Sequence, residues 1–140
     1  MMLARMLATL IRRSRAAPAS ALHPSRDREL AEARNFIASA DLRGAEAILR
    51  AVIRNSERDA EAHRLLGSVL GASGRTDDAR KIIESALRLD PGNSEGWVLL
   101  GNACRFSGRV ADAERHYRRA LQIDPSNSAA RFGVAYVEEC

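Results

Sequence analysis

The sequence predicts an all-α chain of antiparallel helix pairs. Three observations carry that expectation: a duplication with a 34-residue period, breakers at fixed places inside it, and an alanine-rich composition with only 4% aromatics. Aligning residues 60–93 with 94–127 gives 14 identities in 34 positions, where chance gives about two. A unit of that length cannot bury its apolar face alone, so copies must stack on one another. Small side chains suit such stacking, because they favour helix and let helices approach closely.

The recurring residues have physical jobs. In each copy a first helix runs to a Ser-Gly-Arg turn, Ser73-Gly74-Arg75 and Ser107-Gly108-Arg109. Glycine there permits the positive φ that ends a helix and turns the chain. A second helix follows and stops at Asp90-Pro91 or Asp124-Pro125, since proline cannot continue it. Asn93 and Asn127, just beyond, are good caps for the helix that comes next. Gly67 and Gly101 fall in mid-helix, which costs about 1 kcal/mol each against alanine. That cost predicts a crossing where two helix backbones press together, with Ala79, Ala86, Ala113 and Ala120 as the small surface opposite.

Trp97-x-x-Leu100-Gly101-x-x-Cys104, followed by Ala113-x-x-x-Tyr117, Ala120 and Pro125, resembles the tetratricopeptide repeat. The preceding unit matches in register with His63, Leu66, Gly67, Leu70, Ala79, Ile83, Ala86 and Pro91. Cys104 and Leu70 stand where an aromatic is usual, and His63 where tryptophan is. These are packing variations. The resemblance implies a right-handed α-solenoid of antiparallel helix pairs, about three repeats plus a C-terminal helix. The expected layout is a basic tail over 1–25, repeats at 26–59, 60–93 and 94–127, and a terminal helix over 128–139. The first repeat keeps Ala33, Phe36, Ala45 and Leu49, but has Glu32, Val52 and Glu57 in place of leucine, alanine and proline. A worn first unit suits a cap whose outer face meets water.

In such a solenoid the first helices line a concave groove. Projecting the family's groove positions onto this chain gives Leu30, Arg34 and Ile37, then Glu61, Arg64 and Ser68. They continue with Glu95, Val98, Asn102 and Arg105, and with Phe132 and Tyr136. The expected partner-binding residues are Arg34, Arg64, Ser68, Asn102 and Arg105. Chaperone-binding members of the family clamp a C-terminal carboxylate with lysines, asparagines and an arginine. Here Leu30, Leu65, Glu95 and Leu99 stand at four of those places, so the clamp is not carried over.

The net charge of +4 belongs to the tail. Residues 1–26 hold five of the 22 basic residues and no acid, which leaves 17 basic against 18 acidic residues over 27–140. No nucleic acid is expected as a partner, because a phosphate-tracking face needs basic residues clustered within the fold. Leu3, Met6, Leu7 and Leu10 fall at helical spacing with Arg5, Arg12 and Arg13 elsewhere on the wheel. The apolar run is too short to span a bilayer, and its basic cluster follows it, unlike a secretory signal. Three readings of the tail stay open: an extension with no role, a weak membrane contact through residues 1–15, or a mitochondrial-type presequence. Arginine outnumbers lysine 21 to one, as in a GC-rich genome, so the expected location is a bacterial cytoplasm. The inner-membrane periphery and the mitochondrion are the alternatives. Two cysteines, Cys104 and Cys140, make no disulfide framework and fit a reducing compartment.

Catalytic patterns are missing from the sequence. It has no phosphate loop, no serine flanked like a nucleophile, and no metal-ligand spacing among His23, His63 and His116. His63 and Cys104 occupy packing positions, and Asp77-Asp78 reads as a favourable contact with a helix N-terminus. No cofactor, metal or enzymatic activity is expected. The function expected is a scaffold or adaptor that holds a partner peptide or protein in the groove. Two alternatives are an N-terminal repeat module of a longer bacterial enzyme such as a transferase, or a membrane-associated assembly factor. Phe132, Val134, Tyr136 and Val137 put apolar side chains on several sides of 128–140, so self-association through that helix is also expected.

Overall fold

The computed structural model describes residues 24–140. Seven helices follow one another and no strand occurs among the described residues: α1 (Pro24–Ala38), α2 (Leu42–Asn55), α3 (Ala60–Ala72), α4 (Thr76–Leu89), α5 (Ser94–Phe106), α6 (Val110–Ile123) and α7 (Ser128–Glu138). They pack as pairs α1–α2, α3–α4 and α5–α6, with α7 laid against α6 and α5. The first helix begins at Pro24, slightly ahead of the expected start at 26, and proline suits a first turn because its missing N–H has no partner to lose.

Breakers act where the sequence put them, and by two different devices. Each first helix closes by a hydrogen bond that spans the turn: Asp41 N to Phe36 O, Arg75 N to Leu70 O and Arg109 N to Cys104 O, all 2.8–2.9 Å. The residue that turns the chain has positive φ in every copy: Gly74 (80°), Gly108 (77°) and, in the worn first unit, Ala40 (62°). Alanine pays for that conformation where glycine does not. The entry to each new unit relies on side-chain caps instead. Asp59 accepts from Ala62 N (3.1 Å), Asn93 from Gly96 N (3.0 Å) and Asn127 from Ala130 N (3.1 Å).

The core runs the length of the stack. One part joins the first two pairs through Leu30, Leu49, Val52, Leu66, Leu70 and Ile83. The other surrounds Tyr117, with Val98, Cys104, Ala113, Ala120, Ala130 and Val137. Burying a leucine or isoleucine contributes roughly 1.5–3 kcal/mol, so these contacts between units hold the stack together. Two packing expectations are corrected. Leu30, expected in the groove, is only 1% exposed because its side chain points into the first core part. The mid-helix glycines meet large side chains first, with alanine behind at Gly67, where a Cβ would lie 3.6 Å from Ala79 O. A Cβ on Gly67 would lie 2.3 Å from Ile83 Cγ1, and one on Gly101 would lie 2.6 Å from Tyr117 Cε1. Tyr117 is itself seated between Gly101 and Gly133, whose Cβ would fall 2.7 Å from the ring. Each glycine is thus a hole for a knob from a second helix.

Among the described residues no helix is long and apolar enough to cross a membrane. The tail readings, including the contact through residues 1–15, fall on residues 1–23, which lie outside the described ones.

Candidate partner-binding groove

First helices α3, α5 and α7 stand side by side, and their exposed faces form a trough. A cavity of about 600 Å³ opens into it. Its lining includes Arg64 and Ser68 from α3, Val98 and Asn102 from α5, and Asn127 and Ala129 at the start of α7. A smaller adjoining cavity of about 220 Å³ shares Ser68, Leu99 and Asn102 and is edged by Phe106. The 34-residue register explains the lining, because it returns the same helix face in each unit.

The structure therefore brings three expected residues, Arg64, Ser68 and Asn102, into one cavity. Arg34 lies on α1 outside it and pairs with Glu61. Arg105 is on α5, one helical turn beyond Asn102, with its guanidinium over the rings of Phe106 and Tyr136. Glu61 and Glu95 pair with the arginines across neighbouring helices: Glu61 with Arg34, and Glu95 Oε2 accepts from Arg64 Nη1 at 2.8 Å. The acidic side chains sit at the same place in the repeat, one period apart, and the third such place, in α7, is Ala129.

Three features of the site have no signal in the sequence pattern. Tyr117 Oη donates to Asn102 Oδ1 at 2.6 Å, so the knob of the second core part also fixes a groove amide. Burial pushes the Tyr117 hydroxyl up, which keeps it a donor at neutral pH. Arg26 bridges the first two units, with Nε on Asp59 Oδ2 at 2.7 Å and Nη2 on Glu61 Oε2 at 3.1 Å. Burial pushes the Asp59 carboxyl up, but the bonds from Arg26 and the Ala62 amide outweigh it and hold it below its ordinary value. Trp97 stacks on His116 at 5.7 Å and donates its Nε1 to Pro91 O at 2.8 Å. All three join residues 6 to 35 apart in sequence, so the way the helices pack brings them together.

Residues with latent reactivity are used for packing. His63 is buried, with Nδ1 2.7 Å from Asp59 O. Cys104 is buried and its thiol is pushed up by burial, which disfavours the reactive thiolate. Asp77 and Asp78 occupy the first turn of α4. Among the described residues, no group of three or more His, Cys, Asp or Glu side chains could hold a metal ion.

The tetratricopeptide repeat family model matches residues 30–94, 67–128 and 98–138. The chain belongs to the tetratricopeptide repeat family. Solved structures agree on the right-handed solenoid of helix pairs. The Arabidopsis OM64 tetratricopeptide repeat domain superposes with a TM-score of 0.79 at 15% identity, covering 83% of this chain and 96% of that one. The Yersinia enterocolitica type III secretion chaperone SycD, in complex with a peptide of the translocator YopD, gives 0.76 at 15% identity, over 83% and 94%. A mutant O-GlcNAc transferase from Thermobaculum terrenum gives 0.80 at 26% identity, over 86% of this tetratricopeptide repeat chain but 23% of the transferase. Comparison with curated proteins gives no match.

Proposed function

We propose that this chain is a non-enzymatic scaffold that holds a partner peptide or protein in its groove, with Arg64, Ser68, Asn102 and Arg105 as contacts. The observation that carries this reading is the cavity of about 600 Å³ spanning three first helices, lined by polar groups from each. It is too open for a buried cofactor and long enough for an extended chain. The Yersinia chaperone, similar in fold, is a peptide complex. Arg34 belongs to the same face but contributes less, since Glu61 neutralises it. The carboxylate clamp stays excluded from this reading: Leu30 and Leu65 are buried and make no polar contact.

The test is a double substitution. Arg64→Ala with Arg105→Ala should weaken a partner captured by the intact chain at least about tenfold, with the helical signal unchanged. The same change at Arg118 and Arg119, exposed on the second helix α6, should be nearly silent. The reverse pattern would place the partner on the convex face and sink the reading. We place this scaffold in a bacterial cytoplasm, with no nucleic-acid partner, on the composition alone.

A second reading is favoured by one finding, the 26% identity to the transferase. In it these repeats are the N-terminal module of a longer enzyme, and the groove presents substrates to it. Codons that continue in frame beyond Cys140 into a catalytic domain would establish it, and a stop codon there would end it.

A further inference from the structure

At the C-terminal end of the groove one arginine is held differently from the rest. The guanidinium of Arg105 lies 4.6 Å from the ring centroid of Phe106 and 4.6 Å from that of Tyr136. Two rings within reach of the cation help to hold it in place, and a guanidinium so held can still donate hydrogen bonds. Its Nε is buried without a partner, as is that of Arg64, but no carboxylate pairs with Arg105 among the described residues. Arg34 and Arg64, by contrast, pair with Glu61 and Glu95. Beside this cation Phe106 is 70% exposed, Phe132 69% and Tyr136 44%, with Phe132 and Tyr136 6.4 Å apart.

These aromatics could simply be the open face on which another helix would stack, and the register argues against that. One period of 34 places Phe132 at the position of Val98 and Tyr136 at that of Asn102, two residues that line the groove cavity. The place that meets its own unit's second helix, Gly101 against Tyr117, is held in α7 by Ala135. The exposed rings therefore belong to the groove wall.

We propose that Arg105 is the acid-reading position of the groove. It receives the carboxylate of an aspartate or glutamate in a partner peptide, while an aromatic or aliphatic residue next to that acid packs on Phe132 and Phe106. A single cation framed by hydrocarbon fits one carboxylate beside an apolar side chain; a run of phosphates would need several cations in a row. The same charges set the direction of the peptide. Toward the N-terminal end Glu61 and Glu95 already occupy Arg34 and Arg64, and Ala129 leaves the C-terminal end without such a residue. This inference rests on the groove reading given above.

The intact chain is panned against a random peptide library displayed on phage, and enriched peptides are synthesised and titrated. Peptides sharing an acid beside an aromatic or aliphatic residue are expected. Arg105→Gln, or amidation of the peptide acid, should each weaken binding about tenfold or more. The two together should cost little beyond either alone, since both remove one contact. Arg105→Lys should fall between, because an ammonium keeps the charge but not the planar stack. Arg118→Gln on α6 should change nothing. Circular dichroism of each variant separates loss of binding from loss of fold. Peptides without acid that survive Arg105→Gln but are lost with Ser68→Arg, which fills the cavity, would overturn this proposal and leave the groove reading standing. Indifference to both substitutions, or no enriched peptide, would overturn both. A free chain that sediments as a dimer and is dissociated by Phe132→Ser would assign the rings to a second copy, and the proposal would fall.

Discussion

In the N-terminal half of the groove Arg34 and Arg64 meet carboxylates, Glu61 and Glu95, that enter from the next first helix. In the C-terminal half Arg105 meets rings. The cores beneath differ in the same way. Under the first half Ile83 fills the hole at Gly67, an apolar knob with no polar group to offer the groove. Under the second Tyr117 fills the holes at Gly101 and Gly133, and its hydroxyl reaches Asn102 on the groove wall. One scaffold period thus yields a half whose polar groups satisfy each other and a half whose polar groups are held ready from below. A repeat protein can place binding capacity in one unit without altering the stack, because each unit contacts only its neighbours.

Four substitutions test that contrast, in order of expected effect. Gly101→Leu should destabilise by about 1–3 kcal/mol, since Tyr117 cannot retreat from between two glycines. The readout is the midpoint of thermal unfolding, and an unchanged midpoint would show that the ring has room to move. Asp59→Ala should cost about 1–2 kcal/mol through the lost cap of α3, with its bond to Arg26 lost as well. The same residue predicts a pH dependence. Its folded-state carboxyl is held below the ordinary value, so its contribution is present above about pH 4 and is lost as pH falls through the lower folded value. An acid melt of Asp59→Asn should accordingly be flatter below about pH 4 than that of the wild type.

Tyr117→Phe should cost about 0.5–1.5 kcal/mol and leave the ring packed. Its sharper readout is in the groove, where the loosened Asn102 should change partner affinity while Ile83→Val, under the other half, does not. Equal effects of the two would erase the distinction between the halves. The smallest change runs the other way. Ala40→Gly should stabilise by about 0.5–1 kcal/mol, because the first unit turns at φ 62° with a residue that has a Cβ. A loss of stability would mean that the worn turn is held by contacts the other two do not need.

The positions of the turns, the caps at Asn93 and Asn127, the helix count and the buried roles of His63 and Cys104 were all legible in the sequence. Each depends on chemistry within a few residues, or on a face repeated every 34. The groove was partly legible. Arg64, Ser68 and Asn102 converge as their register predicts, whereas Leu30 turns inward. Projection onto a helix face says which side a residue is on and not how far the neighbouring helix covers it.

By itself the sequence determined the periodic part of this protein: helix pairs, where they break, and which face of each first helix recurs. The reason is that glycine, proline and capping side chains act on their own backbone, and a hydrophobic face follows from helical spacing alone. Only the tertiary structure decided what fills the holes at Gly67, Gly101 and Gly133, that Arg26 joins two units, and that Arg105 lies over the rings of Phe106 and Tyr136 with no acid paired to it among the described residues. Those depend on distances between helices far apart in the chain. Helix packing sets them through the volumes of side chains that share a crossing, and no single segment carries that information.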